Sequence, residues 1–336
     1  MKKWGLLLAI VVFFFIGCGE TAADSSTREV SSEFRGFGEV GLLVEEGELK
    51  ESNVVYEDAP VDFQDAVIEE MLRNMIQKPE GDVYISDLQE IHAIYWRGSY
   101  WSNLQSPDGC LPHVSGCEVG PWETKQPESL ADLAYCYNLQ WMEFGEIDVP
   151  SLEPLLELPQ LESIGFVYSR VTKEVLEEIG QLSKIKRLYL GTGESTKWGD
   201  LTDGSFLLPI ARQLEVLYAC GDIDWNPQVL AQMTNLKDLD LEKATDLSFL
   251  EQMTNLEQLY MYCPDVSDWS PLAFVQNLEF LTIGGNYKVT VEIDLEDLVP
   301  LKKLDYLSLA YTTINAEHSY QEVVDALPSL TGFYVY

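Results

Sequence analysis

Apolar residues return along most of this chain in the triplet L-x-x-L-x-L, with polar or aromatic residues in the gaps. The clearest stretch is residues 235–262, where Leu236, Leu239 and Leu241 are followed by Leu256, Leu259 and Met261. Both copies open on the phrase Met-Thr-Asn-Leu, at Met233 and Met253. Further triplets stand at Leu139-Met142-Phe144, Leu161-Ile164-Phe166, Ile185-Leu188-Leu190, Leu214-Leu217-Ala219, Leu278-Leu281-Ile283, Leu304-Leu307-Leu309 and Leu330-Phe333-Val335. Ile91-Ile94-Trp96 reads as the first of the series. From Leu139 onward, successive copies begin 20 to 29 residues apart. Within each triplet the last positions alternate with period two, which predicts a short strand with leucines pointing inward and the intervening residues on the opposite face. With strands about 4.8 Å apart, ten of them form an arc of roughly 45 Å. Upstream, Phe63, Val67, Ile68, Met71, Leu72, Met75 and Ile76 fall at helical spacing, with Asp62 as the expected cap and Lys78-Pro79 as the stop. The longer units, at 171–182 and 321–327, have room for a helix. The shorter ones predict single turns.

A box of this kind at this period resembles the leucine-rich repeat. The stretches Val266-Ser267-Asp268-Trp269-Ser270-Pro271-Leu272 and Asp246-Leu247-Ser248-Phe249-Leu250 resemble the segment that follows the strand in internalin-type repeats. Residues 63–94 resemble the helical N-terminal cap of those proteins, whose physical task is to close the exposed end of a solenoid core. The resemblance implies an α/β solenoid: a leucine-rich-repeat horseshoe with a parallel concave β-sheet and a helical cap. One departure is plain. That family places Asn at the ninth position of the box, where its amide bonds neighbouring turns. Here Asn286 keeps it, whereas Ile147, Gly193, Asp222, Ala244, Pro264 and Thr312 stand at equivalent places. The buried turn groups then need other partners. Residues 99–129 also break the period, as a degenerate repeat carrying a long loop, either a binding element or a tolerated insertion.

The N-terminus is of a different kind. Lys2 and Lys3 precede an apolar run at 4–16, too short for a spanning helix and suited to a secretory signal. Phe15-Ile16-Gly17-Cys18 resembles a bacterial lipobox. That likeness implies a signal peptide over residues 1–17, lipidation of Cys18 with palmitate-type chains, and an extracytoplasmic protein of the cell envelope anchored in the membrane by lipid. Two acyl chains hold where one does not. The alternative is an ordinary signal peptide with an accidental cysteine. Residues 18–33 read as a flexible tether, 34–98 as a lead-in plus cap, and 99–336 as the repeat domain.

Charge narrows the partners. Lys and Arg number 21 against 56 Asp and Glu, a net charge of −35. Such a surface repels phosphate backbones and anionic headgroups, so nucleic acid is excluded and membrane contact is left to the anchor. Much of this charge serves solubility.

The intervening residues carry the candidate chemistry. The central gap of the boxes holds Tyr95, Glu143, Gly165, Tyr189, Tyr218, Asp240, Tyr260, Thr282, Ser308 and Tyr334. Flanking places add Trp141, Arg187, Asp238, Glu242, Tyr262, Phe280, Tyr306 and Tyr336. Aromatics around an acidic patch suit recognition, although tyrosine also favours strands for packing alone. The expected ligand-binding set is Tyr95, Trp141, Arg187, Tyr189, Tyr218, Asp238, Asp240, Tyr260, Tyr262, Phe280 and Tyr306, with a peptide, protein or glycan as ligand and basic groups favoured by the acids. A structural role in an envelope assembly is the second possibility. Cys110 and Cys117 lie close enough in sequence for a disulfide in an oxidising compartment. Cys136 reads as a small buried hydrophobe. Cys220 and Cys263 have no acid–base partner nearby. His92, His113 and His318 lack metal-ligand spacing. Asp222-x-Asp224-x-Asn226 begins like a calcium loop, but Pro227 and Met233 occupy the places that need Gly and Glu. Gly191-Thr-Gly193 fits no phosphate loop. No catalytic set, cofactor or metal is read, so the expectation is a non-enzymatic binding module.

Overall fold

The computed structural model describes residues 52–97, 100–102, 126–145, 147–167, 169–191, 203–219, 223–262, 265–285, 290–315 and 319–335. The signal and tether, the lipidation site Cys18, the Cys110–Cys117 pair, most of the 99–129 loop, Asn286, Cys220, Cys263 and Tyr336 lie outside these residues. The strands are β1 (Ala93–Arg97), β2 (Tyr100–Ser102), β3 (Trp141–Gly145), β4 (Ser163–Val167), β5 (Arg187–Gly191), β6 (Val216–Ala219), β7 (Asp238–Leu241), β8 (Gln258–Met261), β9 (Phe280–Gly284), β10 (Val291–Ile293), β11 (Tyr306–Ala310), β12 (Thr312–Ile314) and β13 (Gly332–Val335). Each triplet yields one strand of a single sheet. Its order is β13-β11-β9-β8-β7-β6-β5-β4-β3-β1-β2, all parallel except the antiparallel β1–β2 pair. This is a leucine-rich-repeat solenoid, as the box predicts.

Register shows why the triplet repeats. The middle apolar residues Ile94, Met142, Ile164, Leu188, Leu217, Leu239, Leu259, Leu281 and Leu307 pair in one line from strand to strand, and each is 0% exposed. The last residues of the boxes form a second line, in which Phe144 stacks on Phe166 at 5.6 Å. One continuous core runs under the sheet.

The return side is made of short turns started by a recurring device. A residue two places before the turn accepts a backbone N–H: Asp203 from Ser205, Asp246 from Ser248, Asp268 from Ser270, Ser129 from Ala131 and Ser151 from Glu153, at 2.8–3.1 Å. These bonds satisfy donors that a turn exposes, and the bonds from Ser205 and Ser270 hold the Asp203 and Asp268 carboxyls below their ordinary range. Gly204 sits at φ 76°, and a Cβ there would meet the Trp225 ring at 2.3 Å, so only glycine fits. The longer units form helices α2 (Lys173–Ile179) and α5 (Tyr320–Ala326), and shorter ones α3 (Pro227–Leu230) and α4 (Leu295–Leu298). In α5, Ser319 and Glu322 make a reciprocal capping box.

The absent ninth-position asparagines are replaced in two ways. Ser169 and Thr312 occupy that place in their boxes, and their hydroxyls donate to Phe144 O (3.0 Å) and Ile283 O (3.2 Å) of the preceding turn. The asparagine just before the first leucine does related work from the other rim. Asn138, Asn235, Asn255 and Asn277 donate to Gln89 O, Arg212 O, Thr234 O and Thr254 O at 2.6–3.0 Å.

The expected upstream helix is α1 (Ala66–Met75), and it starts later than the pattern predicts. Its cap is Asp65, not Asp62. Asp65 Oδ1 accepts from Val67 N and Ile68 N at 2.8 and 3.1 Å. The reason lies far along the chain: the buried Asp132 carboxylate takes the Gln64 and Asp65 amides at 2.9–3.1 Å and holds them out of a helix. At the other end Gln77 adopts φ 55°, so the helix has reversed before Pro79. Ile68, Met71 and Leu72 of α1 join the solenoid core.

Candidate functional site

Side chains that alternate with the core leucines stand on the concave face, and register sets their neighbours. In the central line Tyr95, Glu143, Gly165, Tyr189, Tyr218, Asp240, Tyr260, Thr282, Ser308 and Tyr334 follow one another across the sheet. One flanking line brings Trp141, Ser163, Arg187, Val216, Asp238, Gln258, Phe280 and Tyr306 together. Ten of the eleven residues of the expected set therefore lie in these two lines, and Tyr262 stands just past the end of β8.

They divide into three zones. On the N-terminal side, Tyr95 stacks on Trp141 at 5.8 Å, Trp141 lies 5.2 Å from Tyr189, and Tyr189 meets Tyr218 edge-on at 5.0 Å. On the C-terminal side, Phe280 stacks on Tyr306 at 5.6 Å, and Tyr306 lies 5.1 Å from Tyr334. Between these ladders β7 supplies Asp238 and Asp240, with Glu242 just beyond the strand. Tyr218 donates its hydroxyl to Asp238 Oδ2 at 2.8 Å, and Tyr260 donates to Gln258 Oε1 at 3.0 Å. The Tyr262 ring lies over Gly284, where a Cβ would meet it at 2.3 Å.

The face is more closely filled than an open concave sheet predicts. Trp141, Tyr189 and Tyr260 are 4%, 7% and 5% exposed, whereas Tyr334 is 46% exposed. Neighbouring rings stand 5.0–5.8 Å apart and cover one another. Electrostatics follow from this burial. It drives Asp240 well above the ordinary carboxylate range, helped by Glu242 and Asp238. Burial likewise raises the Tyr218 hydroxyl, then the Asp238 charge and hydrogen bond; it raises Tyr260, with Asp238 and Asp240 adding; and it raises Tyr95, with Glu143 adding.

Several polar atoms on this face are buried without a hydrogen-bond partner: Tyr95 Oη, Trp141 Nε1, Asp240 Oδ1, Thr282 Oγ1 and Ser308 Oγ. Native structures leave few such atoms, and each calls for a cause. Thr282 and Ser308 were outside the expected binding set. Their signal in the sequence is two small hydroxyl residues at central positions otherwise held by tyrosine, acid and the single Gly165.

Other candidates resolve into structural roles. Cys136 is a free, fully buried thiol whose pKa burial pushes up to about 12, with Asp132 adding. Asp224 pairs with Lys243 at 2.6 Å, and Asn226 caps α3. Among the described residues no group of three or more His, Cys, Asp or Glu side chains is placed to hold a metal ion.

No protein-family model matches the chain, and no curated protein matches it. Among solved structures, internalin C2 from Listeria monocytogenes is similar with a TM-score of 0.51 and 21% identity, covering 79% of this chain and 100% of that one. A second internalin from that species has a TM-score of 0.43 and 18% identity over 81% and 90% of the two chains. A leucine-rich-repeat protein from Leptospira interrogans has a TM-score of 0.47 and 18% identity over 61% and 51%. At 21% identity the first likeness concerns the fold.

Proposed function

We propose that this chain is a non-enzymatic, surface-anchored binding module whose concave face holds a peptide, protein or glycan. The observation that carries this is the set of buried, unpartnered polar atoms on one face, at Tyr95, Trp141, Asp240, Thr282 and Ser308. A bound partner supplies the missing hydrogen bonds, and the two aromatic ladders give it rigid contact area. In this account α1 caps the core, and lipidated Cys18 ties the module to the outside of the cell membrane. Among the described residues no helix is long and apolar enough to cross a membrane.

The test is capture from envelope extracts on the immobilised full-length chain, beside a variant carrying Tyr189→Ala, Tyr218→Ala and Tyr260→Ala whose fold is checked by circular dichroism. The expected outcome is a partner held by the parent and lost by the folded variant. A partner held equally by both counts against the concave face. Radiolabelled palmitate incorporated by the parent but not by Cys18→Ala supports the anchor.

One observation favours the second reading, a structural component of an envelope assembly. Tyr320, Val324, Tyr334 and Val335 are exposed together in α5 and β13. Concentration-dependent association in sedimentation, abolished by Val335→Lys, supports that role.

A further inference from the structure

The binding-module reading leaves the chemistry of the ligand open, and the central zone of the face narrows it. Three carboxylates, Asp238, Asp240 and Glu242, stand on one side of β7 and its end. Three lysines of the neighbouring repeats pair with rim acids, Lys186 with Glu162 at 3.2 Å, Lys237 with Glu215 at 2.8 Å and Lys243 with Asp224, and Arg187 acts on Glu215 as well. Burial and the two acidic neighbours are what act on Asp240, and its Oδ1 is buried without a donor. Tyr218 and Tyr260 flank it in register, and both hydroxyls are engaged, with Asp238 and Gln258. What they present beside the carboxylate is therefore aromatic ring. Carboxylate beside ring is the environment that favours an ammonium or guanidinium group.

Acids alone do not define a site. The second observation lies along the same register line. After Tyr260 come Thr282 and Ser308, only 1% and 2% exposed, whose hydroxyl oxygens have no partner. Their neighbours in register and along the strands are Tyr260, Phe280, Tyr306 and Tyr334. Two small side chains among four rings reach less far from the sheet than their neighbours, and each carries an unpartnered oxygen. Ser308 is three strands from Asp240, about 14 Å at the usual strand spacing, a length that about four residues of extended chain span. A lone amine does not reach both ends.

We propose that the register line running from Asp240 to Ser308 takes an extended peptide, which sets a lysine or arginine head group against Asp240 and hydrogen-bonds through its backbone to Thr282 and Ser308. This rests on the concave binding reading. The test is an array of random-sequence peptides probed with the full-length chain, followed by titration of the retained peptides. Retained peptides are expected to need one lysine or arginine, and norleucine in its place to weaken binding about tenfold or more. Asp240→Asn is expected to weaken binding by a similar factor. Glu251→Gln, on the exposed return side, leaves it unchanged, which separates a site from general acidity. Thr282→Val with Ser308→Ala lowers affinity about threefold or more, as lost hydrogen bonds do. Unchanged circular dichroism of each variant keeps the comparison fair. The proposal is overturned by retained peptides with no basic requirement, by equal losses in Asp240→Asn and Glu251→Gln, or by an array that retains nothing while amino-sugar glycans bind. Peptides lost in the triple tyrosine variant but indifferent to Asp240→Asn overturn the cation and leave the concave face standing. No ligand on this face by either assay removes both.

Discussion

The two faces of the same ten parallel strands follow opposite rules. On the inner face apolar side chains stand in line, almost all are fully buried, and no carboxylate stands among the described ones. On the concave face the alternate side chains are nearly as covered in places, yet they include carboxylates and hydroxyls with unmet hydrogen-bonding capacity. Burial of the first kind holds turns together. Burial of the second kind costs stability, and a chain that keeps it has another use for those groups.

Four measurements set these faces against each other. The largest effect is expected at the core. Leu239→Ala removes a fully buried side chain from the central line and is expected to cost about 2–5 kcal/mol in urea unfolding. A loss near zero would break the contrast. Next, Asp132→Ala strips acceptors from the Gln64 and Asp65 amides. It is expected to cost about 2–3 kcal/mol and to speed hydrogen exchange across α1. On the concave face the sign reverses. Asp240→Asn removes a disfavoured buried charge and is expected to stabilise by about 1 kcal/mol at neutral pH. The pH dependence sharpens this. Because the folded state raises the Asp240 pKa, the folded state holds its proton more tightly than the unfolded state does. Stability from this group is then greatest below the ordinary carboxylate range and is lost as pH rises from there through the raised folded-state pKa. The difference between parent and Asp240→Asn is expected to shrink on acidification. Smallest, Ser169→Ala and Thr312→Val each lose a hydroxyl bond between turns, costing about 1 kcal/mol by thermal melting.

The repeat was legible because it depends on a short local period, and every triplet from Ile91 to Leu330 became a strand of the sheet. What stayed hidden depends on distance in the chain. Asp65 displaces Asp62 as the cap because Asp132, 67 residues on, grips the backbone there. No local pattern announces that. The work of the missing asparagines passed to Ser169 and Thr312, where a hydroxyl in place of an amide leaves no recurring letter. Strand alternation places ten of the eleven expected residues in the two register lines of this face. Their burial was not legible, since alternation says which way a side chain points and nothing about how closely its neighbours pack. Thr282 and Ser308 became notable only once their surroundings were known.

The hairpin of β1 with β2 has a consequence for the company this molecule keeps. It reverses the chain direction at one terminus, because the outer edge of β1 is matched by a three-residue strand running the other way. β13, at the opposite terminus, ends the described sheet with one edge unmatched. The two end strands of the described sheet therefore differ, a three-residue antiparallel one at one terminus and a four-residue parallel one at the other. Edge strands this short offer another chain little backbone to pair with, which guards the sheet against edge-to-edge association.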